Sequence, residues 1–480
     1  MKRLNWKNIS YLLSITLALV IFLAPIIPGS IRWIIFILIL SIDGFAYFYL
    51  FRTNKPSFPK IQSIVKIIVI LLIMVPNSLF SGFIRSISTK TEVFEIHFVG
   101  LSDTKFKTVD ELNNMKIGIL KDESSKVSNI YPKLIIEEAE IDVKFVEYGS
   151  YIDSIKALLN KKVDLIVLPG GYEKTFSDIE GFDIDTSLMF TQYKVIKKEK
   201  SNLFDEHQDI LNLVLIGGDN PIEGNSTSGF NYDVIIVVSY NFKTQESALI
   251  SIPRDSYITN ACTNKKDKIT HTGWYGAECL TKSLTNFLGI PIDKYMLIDF
   301  EGLIDVVNSI GGVTIEVDQL IEEQDENRSF ENMIVIQPGK QKLNGREALA
   351  YLRHRKTLVD GVYGRSNHQE QFILAMLKQL AKPSSWFRIS GFLNTVQKSV
   401  LTNLSAGSLV TYYNDASLLL GKYGINSLLP ERLEIETHDA MIYTPSFGKE
   451  LYYSVIDTSS LKLVKEKFKL INTVEEVIEE

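Results

Sequence analysis

The chain has very little cysteine and few of the signatures that mark common catalytic chemistries. Cys262 and Cys279 are the only cysteines in 480 residues, and no CxxC pair occurs. The six histidines are scattered, and H-E-x-x-H, G-x-S-x-G and G-x-x-x-x-G-K-[ST] are all absent. Zinc-hydrolase, serine-hydrolase and P-loop readings therefore have little support. Outside the cell the two cysteines could close a short loop as a disulfide, with two free thiols as the open alternative. Internal repeats and low-complexity segments are lacking too.

An excess of positive charge is also missing from most of the chain. The formal charge is −6, with 45% hydrophobic and only 22% charged residues. Residues 1–90 hold ten bases and a single acid, Asp43, for a net +9, so residues 91–480 carry −15. An acidic excess of that size argues against a nucleic-acid binder, which needs basic surface to neutralise phosphates.

What is abundant is apolar sequence at the N-terminus. Ile9 to Ile27, Trp33 to Phe51 (interrupted only by Asp43) and Ile67 to Ile84 are each about 18 to 20 residues, enough to cross a hydrocarbon core as a helix. Buried core helices would normally show a polar stripe, and no small-residue cleavage pattern follows Ile27. Three N-terminal transmembrane helices are expected. Lys2, Arg3 and Lys7, with the basic loop from Arg52 to Lys66, place the N-terminus in the cytoplasm. Three crossings then put everything after about residue 86 outside the cell, in a multi-pass protein of the cell membrane.

Beyond the anchor, residues 91–200 alternate short apolar runs with polar helical stretches, an extracellular α/β accessory domain of modest size. Lys197 to Asn202 reads as a linker. A second α/β unit, residues 201–390, is expected to carry a central mixed sheet flanked by helices, with strands at Leu211 to Ile216, Val234 to Val238, Ser247 to Ile252 and Gly312 to Val317. Helices are expected at Leu280 to Leu288, Gly302 to Ile310 and His368 to Leu380, and residues 391–480 form a C-terminal extension packed on this domain.

Arginines cluster near the expected strand ends. Arg254 follows the strand that ends at Ser251-Ile252, and Arg353 and Arg355, at i and i+2, share a face if the chain there is extended. Arg365 lies ten residues on. Guanidinium forks suit bidentate contacts to phosphate oxygens. Two carboxylates strengthen the pattern: Asp219 follows the first strand through Gly217-Gly218, and Asp233 begins the next. Carboxylates converging on a phosphate site suggest Mg²⁺.

These motifs, in this order, resemble the LytR-CpsA-Psr family, enzymes that attach glycopolymers to the wall of Gram-positive bacteria. The resemblance runs from Leu211 to Leu380 through Leu215-Ile216-Gly217-Gly218-Asp219, Tyr232-Asp233-Val234, Ser251 to Ser256, Asp267 to Gly273, Asp299-Phe300-Glu301-Gly302-Leu303, Leu343-Asn344-Gly345-Arg346-Glu347 and Arg353-His354-Arg355. The anchor and the additional domain further resemble streptococcal CpsA-type capsule proteins. The resemblance implies a transferase that moves an undecaprenyl-diphosphate-linked polysaccharide, capsular or of the teichoic acid type, to a peptidoglycan hydroxyl as a phosphodiester, beside other capsule-assembly proteins. It implies Asp219 and Asp233 as ligands of Mg²⁺ (or Mn²⁺), and Arg254, Lys268, Arg353, Arg355, Arg365 and Gln369 as the diphosphate-binding set. It also implies an apolar lipid tunnel, for which the segments around Leu280 to Ile310 are candidates. Arg254 would act in catalysis, and Asp360, in the loop between Arg355 and Arg365, is the nearest proton acceptor for the hydroxyl.

Two positions depart from the family pattern: Asn231 and His368 stand where members usually have arginine. A weakened or specialised enzyme, a polyprenyl-diphosphate phosphatase and a non-catalytic envelope regulator are the competing readings. Topology separates a DNA-binding regulator from the rest. A reporter fused after Lys90 should be active only outside the cytoplasm, and cytoplasmic activity would overturn the charge-based orientation.

Overall fold

The structure is a computed structural model. It describes residues 92–101, 104, 106–121, 126–169, 186–196, 209–218, 227, 231–325, 332–354, 362–380, 382, 388–404, 406–444 and 449–473, with short pieces between 9 and 74. The expected linker at 197–202 lies outside the described residues, as does most of the three apolar stretches. Among the described residues no helix is long and apolar enough to cross a membrane. Between the first and third stretches, Lys66 Nζ donates to Ser14 Oγ at 2.6 Å and to the Ser10 carbonyl at 3.2 Å.

The first unit contains β1 (Glu92–Leu101), β2 (Lys116–Leu120), α1 (Tyr131–Glu138), β3 (Lys144–Tyr148), α2 (Tyr151–Leu159), β4 (Leu165–Pro169) and β5 (Thr186–Ile196). Its sheet runs β3-β2-β4-β1-β5, with β2 parallel to both β3 and β4. Successive strand residues face opposite sides, so β4 feeds two cores. Leu165 and Val167 pack with Ile135 and Ile136 of α1, while Ile166 and Leu168 pack with Ile152, Ile155 and Leu158 of α2. Each such buried side chain contributes roughly 1.5 to 3 kcal/mol of transfer free energy.

The second unit opens with β6 (Ile210–Gly218), β7 (Tyr232–Asn241) and β8 (Ser247–Ser251), followed by the ribbon β9 (Tyr257–Asn260) and β10 (Lys265–Lys268) and a 3-10 turn, Ile269–Trp274. Then come α3 (Ala277–Leu288), β11 (Lys294–Asp299), α4 (Phe300–Ser309), and four short strands, β12 (Val313–Val317), β13 (Ile321–Glu323), β14 (Ile334–Ile336) and β15 (Gly339–Leu343). Next are α5 (Gly345–Arg353), α6 (Val362–Leu380), α7 (Ile389–Ser399), β16 (Val400–Thr402) and α8 (Ala406–Tyr423). The described chain ends with β17 (Glu431–Leu433), the ribbon β18 (Thr437–Thr444) and β19 (Lys449–Ile456), and α9 (Thr458–Ile471).

The main sheet has the order β16-β11-β6-β7-β8-β17. It is mixed, since β11 is parallel to β6 and β17 to β8, whereas β6, β7 and β8 are antiparallel. One core holds Val214, Ile216, Ile235, Val237 and Ile250 of the sheet against α3 and against Val464, Phe468 and Ile471 of α9. A second core joins α4, α5 and α6 through Val307, Tyr351 and Phe372.

Two expectations change. The stretch expected as an extension after residue 391 supplies both edge strands, β16 and β17, so the sheet is completed from the end of the chain. Residues 351–353 are helical rather than extended. Asn344 accepts from the Glu347 N–H while the Glu347 carboxylate accepts from the Asn344 N–H, a capping box that starts α5. Gly345 is required just inside that start, because a Cβ there would collide with the Ile304 carbonyl of α4.

Cys262, in the turn between β9 and β10, is bonded to Cys279 of α3 across 17 residues of sequence. A loop of that size is worth about 3 kcal/mol through the unfolded state. Replacing both cysteines by serine should lower the thermal midpoint measurably without changing the circular dichroism of the folded protein. An unchanged midpoint would show that the link adds nothing to stability.

Candidate functional site

The ends of three strands meet at one point. In the parallel pair, Ile298 stands beside Gly217 and Asp299 beside Gly218. Across the other edge of β6 the register with β7 slips between Gly217 and Gly218. A side chain at 217 would press on Val234 Cβ at 3.0 Å, so glycine lets β7 cross closely here. The result is a narrow pocket of about 20 Å³ lined by Gly217, Asp233, Val234, Ile298, Asp299, Phe300, Leu303, Leu349, Leu352, Arg353 and Arg365. One side is apolar and the other is charged.

The charged side centres on Asp233, which is 8% exposed. Arg254 Nη1 donates to Asp233 Oδ1, and Arg365 Nη2 donates to the Asp233 carbonyl at 2.7 Å. Arg254 Nε also lies 3.9 Å from Asp255, whose other oxygen accepts from Lys268 Nζ at 2.8 Å. Arg353 closes the last turn of α5, its guanidinium 5.4 Å from the centre of the Phe300 ring and donating to the Asp325 carbonyl at 3.1 Å. Asp299 caps α4 by accepting from the Gly302 N–H at 2.6 Å, which points that helix's positive end at the pocket. Two guanidinium groups, those of Arg353 and Arg365, and the start of α4 thus line a space bounded by apolar side chains, with Arg254 held against Asp233. Such a site can hold phosphate oxygens beside a hydrocarbon.

Several sequence-derived candidates gather here and others do not. Asp233, Arg353 and Arg365 line the pocket, Arg254 adjoins it through Asp233, and Lys268 sits further out through Asp255. Gln369 is 3% exposed and accepts from Ser251 Oγ at 2.7 Å, which ties α6 to the end of β8. The neighbouring Glu370 does the same, accepting from the Ser251 N–H at 3.1 Å and from Arg432 of β17 at 2.9 Å. Asp219, Arg355 and Asp360 lie outside the described residues. Of the segments expected to line a lipid tunnel, α4 lines the pocket through Phe300 and Leu303, but α3 is buried in the core with Leu280 and Leu284. Asp299 and Phe300 received no role from sequence, although both belong to a quoted motif. The pairing of Asp299 with Gly218 of β6, which brings the start of α4 to the pocket, is what reveals them.

The two departures from the arginine pattern are structural substitutions. Asn231 is 7% exposed and accepts from Trp274 Nε1 at 3.4 Å. His368 is stacked on Tyr351, ring centres 4.1 Å apart, with Nδ1 3.2 Å from the Tyr351 carbonyl. Burial sets the pKa of its imidazole below the ordinary value, so it carries no standing charge.

Among the described residues no group of three His, Cys, Asp or Glu side chains converges as a metal cage. The carboxylates lining the pocket are those of Asp233 and Asp299, hard oxygen donors. That donor chemistry fits Mg²⁺, which is held by one or two carboxylates in partnership with phosphate oxygens.

Next to Lys268 in sequence lies a partly buried acid, Asp267. Burial would raise the pKa of Asp267, but the His271 charge and hydrogen bond, the Lys268 N–H and the Tyr453 hydroxyl outweigh it and set the carboxyl below its ordinary 3.8. A depressed carboxyl contributes stability that is present above the unfolded value and lost as pH falls through the folded one. Thermal stability should therefore drop as pH falls below about 4, and Asp267→Asn should flatten that acid limb. An identical limb in the variant would exclude Asp267 as its source.

With this geometry in view, similarity to known proteins becomes informative. The chain is 32% identical over 251 residues to the polyisoprenyl-teichoic acid–peptidoglycan teichoic acid transferase TagV of Bacillus subtilis, a match covering 50% of this chain and 61% of that protein. It is 32% identical over 210 residues to the corresponding TagU of Bacillus licheniformis, covering 44% of this chain and 65% of the relative. In both cases the chain spans less than two thirds of the relative's length. The crystal structure of B. subtilis TagV aligns with 27% identity and a TM-score of 0.45, over 55% of this chain and 98% of that one. The sequence profile of the LytR_cpsA_psr family matches residues 182–462, more than half of the chain, and the chain belongs to that family.

Proposed function

We propose that this protein transfers a glycopolymer from an undecaprenyl-diphosphate carrier to a sugar hydroxyl of peptidoglycan. The observation that carries the reading is the pocket in which Arg353 and Arg365, with Arg254 on Asp233, adjoin an apolar wall of Ile298, Phe300, Leu303, Leu349 and Leu352. A lipid-linked diphosphate has the same two halves. The names of the relatives, teichoic acid transferases acting on peptidoglycan, agree with it. The extra domain and the anchor resemble CpsA-type proteins and favour capsular polysaccharide as cargo over teichoic acid.

In this reading the acceptor oxygen forms a bond to the phosphorus that bears the glycan. The bond from that phosphorus to the bridging oxygen breaks, and undecaprenyl phosphate leaves with the electron pair. The proton of the attacking hydroxyl passes to a carboxylate, for which Asp360 is the candidate. Arg254, Arg353 and Arg365 hold the phosphate oxygens and neutralise charge growing on the leaving group, the largest contribution a fixed site can make. Asp233, joined by Asp219, would hold Mg²⁺, which supplies further neutralisation when bound. The pocket as it stands is narrow, so Phe300 and Leu303 must yield for an isoprenoid to enter.

Catalysis takes place outside the cell, on a chain anchored by three N-terminal helices with its N-terminus in the cytoplasm. The Cys262–Cys279 bond supports this, because disulfides persist in oxidising compartments. In detergent, with a lipid-diphosphate oligosaccharide, Mg²⁺ and peptidoglycan, the intact protein should yield a phosphodiester-linked product. Arg353→Ala and Arg254→Ala should each reduce turnover by about 10²-fold or more with the fold retained. Release of free phosphate without polymer transfer would point to a phosphatase, and full activity of both variants would misplace the site.

A further inference from the structure

The ribbon β18–β19 has two unlike faces. Cross-strand partners share a face, so register places Asp439, Met441 and Tyr443 with Ser454, Tyr452 and Glu450 on one side. Ala440 and Ile442 lie with Tyr453 and Leu451 on the other. The second face is packed: Tyr453 is fully buried, edge-on to Tyr257 at 4.8 Å, and Leu451 joins the α2 core of the first unit. The first face is open. Met441 and Tyr443 are 60% and 61% exposed, and Tyr452 donates to Asp439 at 2.7 Å.

The root of this open face is bonded to the phosphate-binding cluster. The Ser454 N–H donates to the Asp255 carbonyl at 3.0 Å, and Lys268 Nζ lies 5.9 Å from the Tyr452 ring centre while holding Asp255. A run of contacts therefore leads from the apolar pocket through Asp233, Arg254, Asp255 and Lys268 to Tyr452, Met441 and Tyr443. The pocket and the open face stand at opposite ends of that run.

We infer that the open face of β18–β19 binds the peptidoglycan sugar chain that accepts the polymer, an assignment that rests on the transfer reaction proposed above. Sugar rings present C–H faces that pack on aromatic and thioether surfaces, and hydroxyls that donate to carboxylates. Tyr443, Tyr452 and Met441 supply the first, and Asp439 and Glu450 the second. The exposed positions of the face carry two carboxylates, and the Lys268 cation beside Tyr452 is held by Asp255, so a polymer of repeating phosphates would be repelled, whereas an uncharged sugar backbone is not. The face is also joined to the arginine cluster through Ser454, Asp255 and Lys268, so a glycan bound there is held next to those cations.

The test uses the full-length chain in detergent, with the exposed-face variants Tyr443→Ala and Met441→Ser. One arm measures co-sedimentation with peptidoglycan sacculi stripped of wall polymers, and the other measures affinity for farnesyl diphosphate. Both variants should bind sacculi about tenfold more weakly than the native chain, as expected for loss of an aromatic or sulfur contact, and bind farnesyl diphosphate unchanged. Arg353→Ala should show the reverse pattern. Native-like sacculus binding by both face variants overturns the assignment. So does a loss confined to lipid-linked oligosaccharide, which would give the face to the donor, or a halved particle mass in light scattering, which would give it to a second copy. If the native chain binds sacculi through this face but not farnesyl diphosphate, the transfer reading fails while the glycan surface stands.

Discussion

The ion pair between Asp233 and Arg254 is the interaction around which the site is organised. A carboxylate 8% exposed would pay heavily for its charge without a partner, and truncating one member of such a pair commonly costs 3 to 5 kcal/mol. Arg365 on the Asp233 carbonyl and Arg254 on its carboxylate fix two guanidiniums by contacts to a single residue at the start of β7. Those contacts hold the cations in a fixed array in the folded protein. The reorganisation that water would need is thereby completed during folding.

Everything that places the two partners is remote in sequence. Arg254 follows β8, and β8 is held at Ser251 by Gln369 and Glu370 of α6, the helix that also carries Arg365. Glu370 is held in turn by Arg432 of β17. The first unit is coupled to the same neighbourhood: Trp274, which donates to Asn231 two residues before Asp233, lies within the α2 core and 5.8 Å from Tyr151. Where family members usually have arginine at 231, this chain has a buried amide facing the indole that the first unit covers. A cation there would need to be desolvated beneath that unit.

What was legible in the sequence follows from range. The strands Leu211 to Ile216, Val234 to Val238 and Ser247 to Ile252 and the helices around 280, 302 and 368 declare themselves by local periodicity, and the structure contains each. The motifs single out Asp233, Arg353 and Arg365, which line one pocket, and Arg254, which adjoins it through Asp233. The helix ending at Arg353 is less legible: the i, i+2 spacing of Arg353 and Arg355 shares a face only in an extended chain, whereas the Asn344 and Glu347 capping box that starts α5 decides for a helix. Asp299 and Phe300 join the pocket only because β11 pairs with β6, and the C-terminal edge strands are three residues each, too short for any periodic pattern.

The position of β17 has a consequence for when the protein can become competent. Its residues, Glu431–Leu433, complete a sheet whose first strand begins at Ile210, so more than two hundred residues must be synthesised between the founding strand and the last. Long-range closure of this kind is slow, and partly built sheets expose unpaired edges. The arginine cluster is complete in sequence at Arg365, well before the strand that steadies Glu370. Until β17 pairs with β8, Glu370 lacks the Arg432 contact that helps it hold Ser251, at the end of the strand that leads to Arg254.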